Sequence, residues 1–444
     1  MSKVALHTLG CKLNFSETSA IGKQFIQNGF SIVNHDNAPD VFVLNTCTVT
    51  ENAEKECRQI VRRVLRQNPE AFVIVTGCYA QLRSDQIAAI PGVDLVLGSK
   101  EKFSLFEFAG DFSKNKLACT FVSPTEELNS SFGFASSSDA DSRTRAFFKI
   151  QDGCDYKCSF CTIPLARGSS RSMSEQDAVI QFTELVNQGY KEIILTGVNV
   201  GDYRKDEDNA LYLLLKKLVE IKGDFRIRIS SIEPNLLTDE IIELTASNPK
   251  MCKHFHIPLQ SGSSKILKLM QRRYKANFYS TLITKIVGKI SDVGIGVDVI
   301  TGFPGETDED FMETYNFIKD LPVAYLHVFT YSERPMTKAI EMDGVVDVAE
   351  RRRRTNMLRI LSEKKKAIFY ERNKYKLEEV LFENNQEDGS IKGFTSNYIR
   401  VSTSFSEELV NKFVNVELTD FNGNLYDCNI IPNSKILLND LKTA

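Results

Sequence analysis

The sequence predicts an α/β protein in three parts: a parallel sheet covered by helices, a partial barrel of six βα units, and a small all-β barrel. Three observations carry this prediction. Unbroken apolar runs alternate with amphipathic stretches through the first third, the alternation resumes in the middle, and after about residue 376 short strand-like runs replace it. The length of 444 residues fits about three domains. With 42% hydrophobic and 25% charged residues, the chain can fill several cores, which excludes a wholly disordered protein. Lys and Arg number 55 against 58 Asp and Glu, a net charge of −3, so any nucleic acid must be met by a local patch rather than a basic coat.

The first part has apolar runs at 4–9 (VALHTL), 41–44 (VFVL), 72–76 (FVIVT) and 94–97 (DLVL), with helical periodicity at 16–27 and 52–66. Apolar strands without polar alternation belong in a parallel sheet buried on both faces. Residues 129–142 (NSSFGFASSSDADS) lack periodicity and predict an exposed linker. The middle part has candidate strands at 146–151, 192–196, 226–230, 254–258, 296–301 and 325–330, separated by helical patterns such as 174–188 and 308–319. Six such units predict a partial barrel. Beyond it, KLEEVLF, YIRVSTS and FVNVELTD flank turn signals at 387–390 and 421–424 and predict the all-β barrel. The expected boundaries are 1–122, a linker at 123–143, 144–372 and 373–444. No leader-like start and no run of about 18 apolar residues is visible, so a cytoplasmic protein that does not enter membranes is expected.

Ten cysteines and five histidines, without an HExxH, point to thiolate rather than imidazole metal chemistry. Cys154, Cys158 and Cys161 form a CxxxCxxC within QDGCDYKCSFCTI. Zinc sites and ordinary ferredoxin clusters take four protein ligands. Three cysteines on one loop would leave an iron of a cubane cluster open to a small chelate such as the methionine part of S-adenosylmethionine. The alternative is a zinc loop with a distant fourth ligand. Cys11, Cys47 and Cys78 each follow the carboxyl end of an apolar strand, and in a parallel sheet those ends share the ligand-binding edge. The alternative is three unrelated core thiols. Cys57, Cys119, Cys252 and Cys428 share no such placement and are expected to be structural.

The CxxxCxxC segment resembles the radical S-adenosylmethionine family. With the second cysteine set and LGCKLN (9–14), NTCTVT (45–50), GCYAQ (77–81), KIQDGCDYKCSFCTIPLARGSSRS (149–172), IEPN (232–235), HIPLQSGS (256–263), GFPGET (302–307) and GFTSNYIRV (393–401), nearly the whole chain resembles the methylthiotransferases. That resemblance implies a flavodoxin-like N-terminal parallel sheet, a central radical S-adenosylmethionine partial (β/α)6 barrel and a C-terminal TRAM barrel. It implies two [4Fe-4S] clusters, one on Cys11, Cys47 and Cys78 and one on Cys154, Cys158 and Cys161, with S-adenosylmethionine as the other cofactor. LGCKLN and NTCTVT resemble the group acting on threonylcarbamoyladenosine beside the tRNA anticodon. The groups acting on isopentenyladenosine and on a ribosomal-protein aspartate tend to show CQMN and CPKN instead.

By the same resemblance Phe160 flanks the cofactor adenine, though it also fits as a core aromatic. Gly197, Asn199, Glu233 and Gln260 follow barrel strands and are candidate cofactor contacts, or simply turn and capping residues. No catalytic side chain is assigned. The expected partners are a tRNA anticodon stem-loop and an electron donor such as flavodoxin or ferredoxin, with the protein a monomer. A non-enzyme alternative is a metal-containing RNA-binding protein. Candidate RNA contacts are Arg352, Arg353 and Lys365 on a basic helix, and Phe394, Tyr398 and Arg400 on the last barrel, where the aromatics could equally be core. Arg58, Arg62, Arg63 and Arg66 form a second basic face. In 331–339, YSERPMTKA, Met336 stands where the family usually has glycine.

Overall fold

The computed structural model describes residues 2–47, 51–130, 133, 135–138 and 144–431. Thr48, Val49 and Thr50 of the NTCTVT motif lie outside these residues. So do 131–132, 134 and 139–143 of the expected linker, and 432–444.

The first sheet is six-stranded and parallel. It contains β1 (Lys3–Thr8), β2 (Ser31–Ile32), β3 (Val41–Thr46), β4 (Phe72–Gly77), β5 (Leu95–Leu97) and β6 (Cys119–Phe121), in the order β2-β1-β3-β4-β5-β6. Every residue of β3 and β4 is buried, as unbroken apolar runs require when helices cover both faces. β2 and β6 are short edge strands whose sequences carry no apolar run.

The middle part contains six parallel strands. β8 (Arg145–Lys149), β11 (Glu192–Thr196) and β12 (Arg226–Ile229) form one sheet, and β13 (His254–His256), β14 (Gly294–Thr301) and β15 (Tyr325–Thr330) form another. Bridges Ile227–Met251 and Ser231–His256 join the two, giving the partial barrel. Ser136–Ser138 (β7) differs from the expected linker: it pairs antiparallel with β8. Its serines have no apolar pattern, and the pairing uses backbone groups of the open β8 edge. β9 (Gln151–Asp152) and β10 (Arg171–Ser172) form a ribbon that closes the loop carrying the CxxxCxxC.

Side-chain alternation sorts the barrel strands. Ala146, Phe148, Ile193, Leu195, Ile227, Ile229, Phe255, Val297 and Val299 pack outward into the helix-covered core. Their neighbours Arg145, Phe147, Glu192, Arg226, Arg228, His256, Asp298 and His327 therefore face the lumen. An apolar outer face and a charged inner face explain why these strands read as mixed rather than purely apolar.

Strands β16 (Leu377–Glu387), β17 (Ser390–Thr395), β18 (Arg400–Ser404), β19 (Phe413–Phe421) and β20 (Tyr426–Ile430) close in the order β16-β17-β18-β20-β19. Val380, Phe382, Ile391, Val401, Val416, Leu418 and Tyr426 fill this barrel. Among the described residues, no helix is long and apolar enough to cross a membrane.

Candidate functional site

Cys11, Cys47 and Cys78 come together because their strands are neighbours in matched register. Thr8 pairs with Asn45, Asn45 with Thr76, and Thr46 with Gly77, so the three chain exits lie level at one sheet edge. Gly10 (φ +101°) and Gly77 (φ +97°) make the approach possible. A Cβ on Gly10 would lie 2.7 Å from the Cys47 sulfur, and one on Gly77 would lie 2.3 Å from the Thr46 carbonyl. Asn14 fastens the edge by donating to the Leu9 and Thr46 carbonyls at 2.9 and 3.0 Å. Cys11 caps the N-terminus of the Lys12–Gln27 helix and is exposed, whereas Cys47 and Cys78 are buried.

A charged cluster lies beneath this edge. The Arg167 Nε donates to Cys78 Sγ at 3.2 Å. The same guanidinium meets Glu17 at 3.0 Å, Asp152 at 2.9 Å and Asn14 Oδ1 at 2.7 Å. Lys102 and Lys149 complete the set on Glu17, and Lys149 and Arg171 do so on Asp152. Four cations thus face two carboxylates. Burial alone would raise Glu17, but Arg167, Lys102 and Lys149 hold it well below the usual carboxylate range. Burial pushes the Cys78 thiol up, while Arg167 and Lys102 oppose it. The surplus of positive charge beside converging thiols suits an anionic thiolate–metal group.

Arg167 also ties this edge to the second cysteine set, because it ends the Ile163–Arg167 helix that begins just after Cys161. In the CxxxCxxC loop, Cys154 Sγ accepts from the Tyr156 N–H at 3.4 Å and Cys161 Sγ from the Ile163 N–H at 3.5 Å. Cys158 Sγ accepts from Arg272 at 3.1 Å. Each sulfur therefore has a donor suited to a thiolate. Without metal, burial pushes Cys154 and Cys161 up to about 12, so ligation must release protons. Three thiols on one loop, each with a donor in place, fit a cluster with one protein-free corner.

The expected cofactor contacts surround this loop. Asn199 is buried, its backbone N–H donates to Gln151 at 2.9 Å, and its side-chain Nδ2 has no hydrogen-bond partner. A Cβ on Gly197 would sit 2.7 Å from the Gln151 side-chain oxygen, so this position is closely packed. Glu233 is held by Arg272, the same residue that touches Cys158. Gln260 takes a left-handed conformation (φ +69°) against Val299. Phe160 is half-buried with its edge against Phe303 (6.3 Å), so part of the ring packs and part stays accessible.

The barrel lumen is polar. His256 bonds Ser231 Oγ through Nδ1 at 2.6 Å and Asp298 through Nε2 at 2.8 Å. The ligand atoms of His256, Asp298 and His327 lie within 4.8 Å of one another. Both His256 nitrogens are already engaged, so the three form a hydrogen-bond network rather than a vacant ligand set. Burial lowers His327, with His256 adding to the effect. Lys12, directly after Cys11, is exposed at the sheet edge. Partial desolvation and the nearby Arg228 charge pull its ammonium down, while Glu192 and Asp298 oppose this. The Phe15–Phe147 edge contact (5.7 Å) holds its helix against the barrel mouth.

Three expected RNA contacts have other work. Lys365 is buried and donates to the Lys319 carbonyl at 2.9 Å, closing the preceding helix. Tyr398 enters the lumen floor, where its hydroxyl meets Glu192 and the Arg228 guanidinium covers its ring at 3.6 Å. Phe394 lies under Arg145 at 4.6 Å. The barrel supplies their partners, so neither ring is free to stack on a base. Arg400 is half-buried, with its Nε unpartnered. Arg352 is exposed; Arg353 is exposed and paired with Glu350 at 2.7 Å. Arg58, Arg62, Arg63 and Arg66 are exposed. Of the cysteines expected to be structural, Cys57, Cys252 and Cys428 are buried, but Cys119 is exposed on edge strand β6. Motif residues held the missed signal: Asn14 in LGCKLN, Arg167 in PLARGSS and His256 in HIPLQSGS.

Residues 148–318 match the radical SAM superfamily model, and residues 3–98 match a family described as Uncharacterized protein family UPF0004. The threonylcarbamoyladenosine tRNA methylthiotransferase MtaB of Bacillus subtilis is 40% identical, over 94% of each chain. That of Aquifex aeolicus is 38% identical, over 93% of this chain and 99% of its own. The tRNA-2-methylthio-N(6)-dimethylallyladenosine synthase of Fusobacterium nucleatum is 33% identical, over 95% and 98%. Among solved structures, the radical S-adenosylmethionine methyltransferase TsrM of Kitasatospora setae superposes with a TM-score of 0.54 over 77% of each chain at 15% identity, a likeness of fold alone. Fold and cysteine geometry define a radical S-adenosylmethionine enzyme. Within that class, the chain belongs to the methylthiotransferase family.

Proposed function

We propose that this protein methylthiolates C2 of N6-threonylcarbamoyladenosine next to the tRNA anticodon. The observation that carries this reading is Arg167, which bonds the Cys78 sulfur and ends the short helix that follows Cys161, and so links the two cysteine sets. Cys11, Cys47 and Cys78 hold one cluster; Cys154, Cys158 and Cys161 hold the other. Bound there, the clusters and S-adenosylmethionine supply reductive C–S cleavage and a transferable methylated sulfur. The chain's own residues position and shield. Asn199 offers an unpartnered amide to the cofactor, Glu233 is oriented by Arg272, and Phe160, Gly197 and Gln260 line the cofactor side. Arg352 and its exposed neighbours meet phosphates. The enzyme works as a cytoplasmic monomer and takes electrons from a flavodoxin- or ferredoxin-type donor.

The polar lumen, with Arg228, His256 and Asp298 on its inner face, favours the polar threonylcarbamoyl substituent over an isopentenyl one, which would offer these groups no hydrogen bond. Nucleoside analysis of tRNA from cells lacking the protein tests the reading. The expected outcome is loss of the methylthio form of threonylcarbamoyladenosine alone. Its persistence, or loss of the isopentenyl counterpart instead, would overturn the assignment.

A further inference from the structure

We propose that Arg272 is a positioning residue for the cluster on Cys154, Cys158 and Cys161: its guanidinium, anchored by Glu233 and Tyr274, donates to the Cys158 sulfur and makes that cluster easier to reduce. This deepens the cofactor assignment above and rests on it.

The local chain dictates where this guanidinium sits. The Ser264–Leu269 helix stops at Met270, Gln271 turns left-handed (φ +57°), and the Arg272 N–H donates back to the Leu267 carbonyl at 3.0 Å. The cysteine loop docks on the same helix end. The Ser159 N–H donates to the Met270 carbonyl at 3.1 Å, and its hydroxyl donates to the Leu269 carbonyl at 2.8 Å. The Arg272 side chain is only 3% exposed and has a partner on each edge. Nη1 donates to Cys158 Sγ at 3.1 Å, Nε to the Tyr274 hydroxyl at 3.2 Å, and Nη2 to the Glu233 carboxylate. Tyr274 is itself held, its hydroxyl shared between the Pro258 and Leu259 carbonyls at 2.8 and 2.9 Å. The donor is therefore fixed by the protein rather than by the metal.

The three sulfurs are not treated alike. Cys154 and Cys161 accept neutral backbone N–H groups at 3.4 and 3.5 Å, whereas Cys158 accepts a charged donor at 3.1 Å. Hydrogen bonds with an ionised partner are roughly twice as strong as neutral ones. A donor at a ligand sulfur favours the more negative, reduced state of a cluster, and such donors are one of the protein's levers on its potential. The neighbouring Arg273 is exposed and covers the Tyr156 ring at 3.8 Å instead. Glu233 offsets part of the guanidinium charge, so the two members of the pair push the potential in opposite directions.

The test is a redox titration of the reconstituted protein without S-adenosylmethionine, followed by electron paramagnetic resonance. The signal of this cluster is the one whose shape changes when S-adenosylmethionine is added to a parallel sample. Losing a charge-assisted hydrogen bond weakens binding of the electron about tenfold, which is roughly 59 mV for a one-electron couple. Arg272→Gln is expected to lower the midpoint potential by about that much. Glu233→Gln, which keeps an acceptor for Arg272 but removes the charge, is expected to raise it. Iron content should be unchanged in both. A merely structural role would not move the two variants apart. Equal potentials in Arg272→Gln and wild type, or a shift of both variants in one direction, overturn the proposal. A wild type whose signals all ignore S-adenosylmethionine overturns the cofactor assignment instead. Should either variant fail to hold iron, the wild type grown on isotope-labelled arginine decides. Coupling of a labelled nitrogen to this signal in pulsed resonance supports the contact, and its absence refutes it.

Discussion

Replacing Arg167 by methionine would remove the donor to Cys78 and leave Glu17 and Asp152 with fewer counter-charges in a buried place. Breaking a buried ion network by removing one partner costs about 3–5 kcal/mol. The urea midpoint of Arg167→Met, compared with wild type, checks this, and an unchanged midpoint would contradict it. Met336 presents the opposite case. It is exposed and left-handed (φ +68°), which a side chain adopts at a cost of roughly 1–2 kcal/mol. The family's glycine there answers a backbone need rather than a crowded pocket. Glycine's extra freedom in the unfolded chain takes back about half of the gain. Met336→Gly is therefore expected to raise stability by about 0.5–1 kcal/mol. Thermal unfolding measures it, and a lower melting temperature would refute it. The six cysteines were legible because strand-end recurrence and CxxxCxxC spacing are patterns along the chain. The partners of Arg167, Arg272 and Arg228 were not, since most are distant in sequence and single arginines give no periodic signal.

The Val348–Glu371 helix shows how one element divides a charge run. Helical rotation turns Arg351 and Arg354 inward: Arg351 bonds the Tyr331 carbonyl at 3.2 Å, and Arg354 bonds Glu306 at 2.7 Å. Arg352 and Arg359 face outward. Charge reversal at the two outward positions is expected to weaken tRNA binding and flatten its dependence on salt, without moving the unfolding midpoint. Filter binding across a salt series checks this; an unaltered slope would assign the phosphate contacts elsewhere. The helix itself was legible as a basic stretch, but its inner and outer faces depended on what the barrel presents. Strand alternation had the same limit. The runs of β8 to β15 were visible, yet which face was lumen followed only from closure. The serine strand β7 was invisible because backbone pairing alone holds it.

Considered whole, the molecule is joined by charge at two levels. At the lumen floor, Glu192 links the barrel to Tyr398 of the last barrel. Burial would raise its carboxyl, but Arg226 and Arg145 bring it down to about 2 from an ordinary 4.5. A depressed carboxyl stabilises the fold above about pH 4.5, and that contribution fades as pH falls towards 2. The wild-type urea midpoint should therefore exceed that of Glu192→Gln near neutrality, with the gap closing between pH 4.5 and 2; a constant gap would refute it. At the linked cysteine sets, the chemistry is divided. Cys154→Ala should abolish cleavage of S-adenosylmethionine, whereas Cys78→Ala should permit cleavage and stop sulfur transfer. Methylthiolated tRNA from the Cys78→Ala protein would contradict that division. The order of translation also gives the first thiol set a history. Its three strands are translated before the arginine that bonds one of its sulfurs. Until then Cys78 is without the guanidinium that later meets its sulfur.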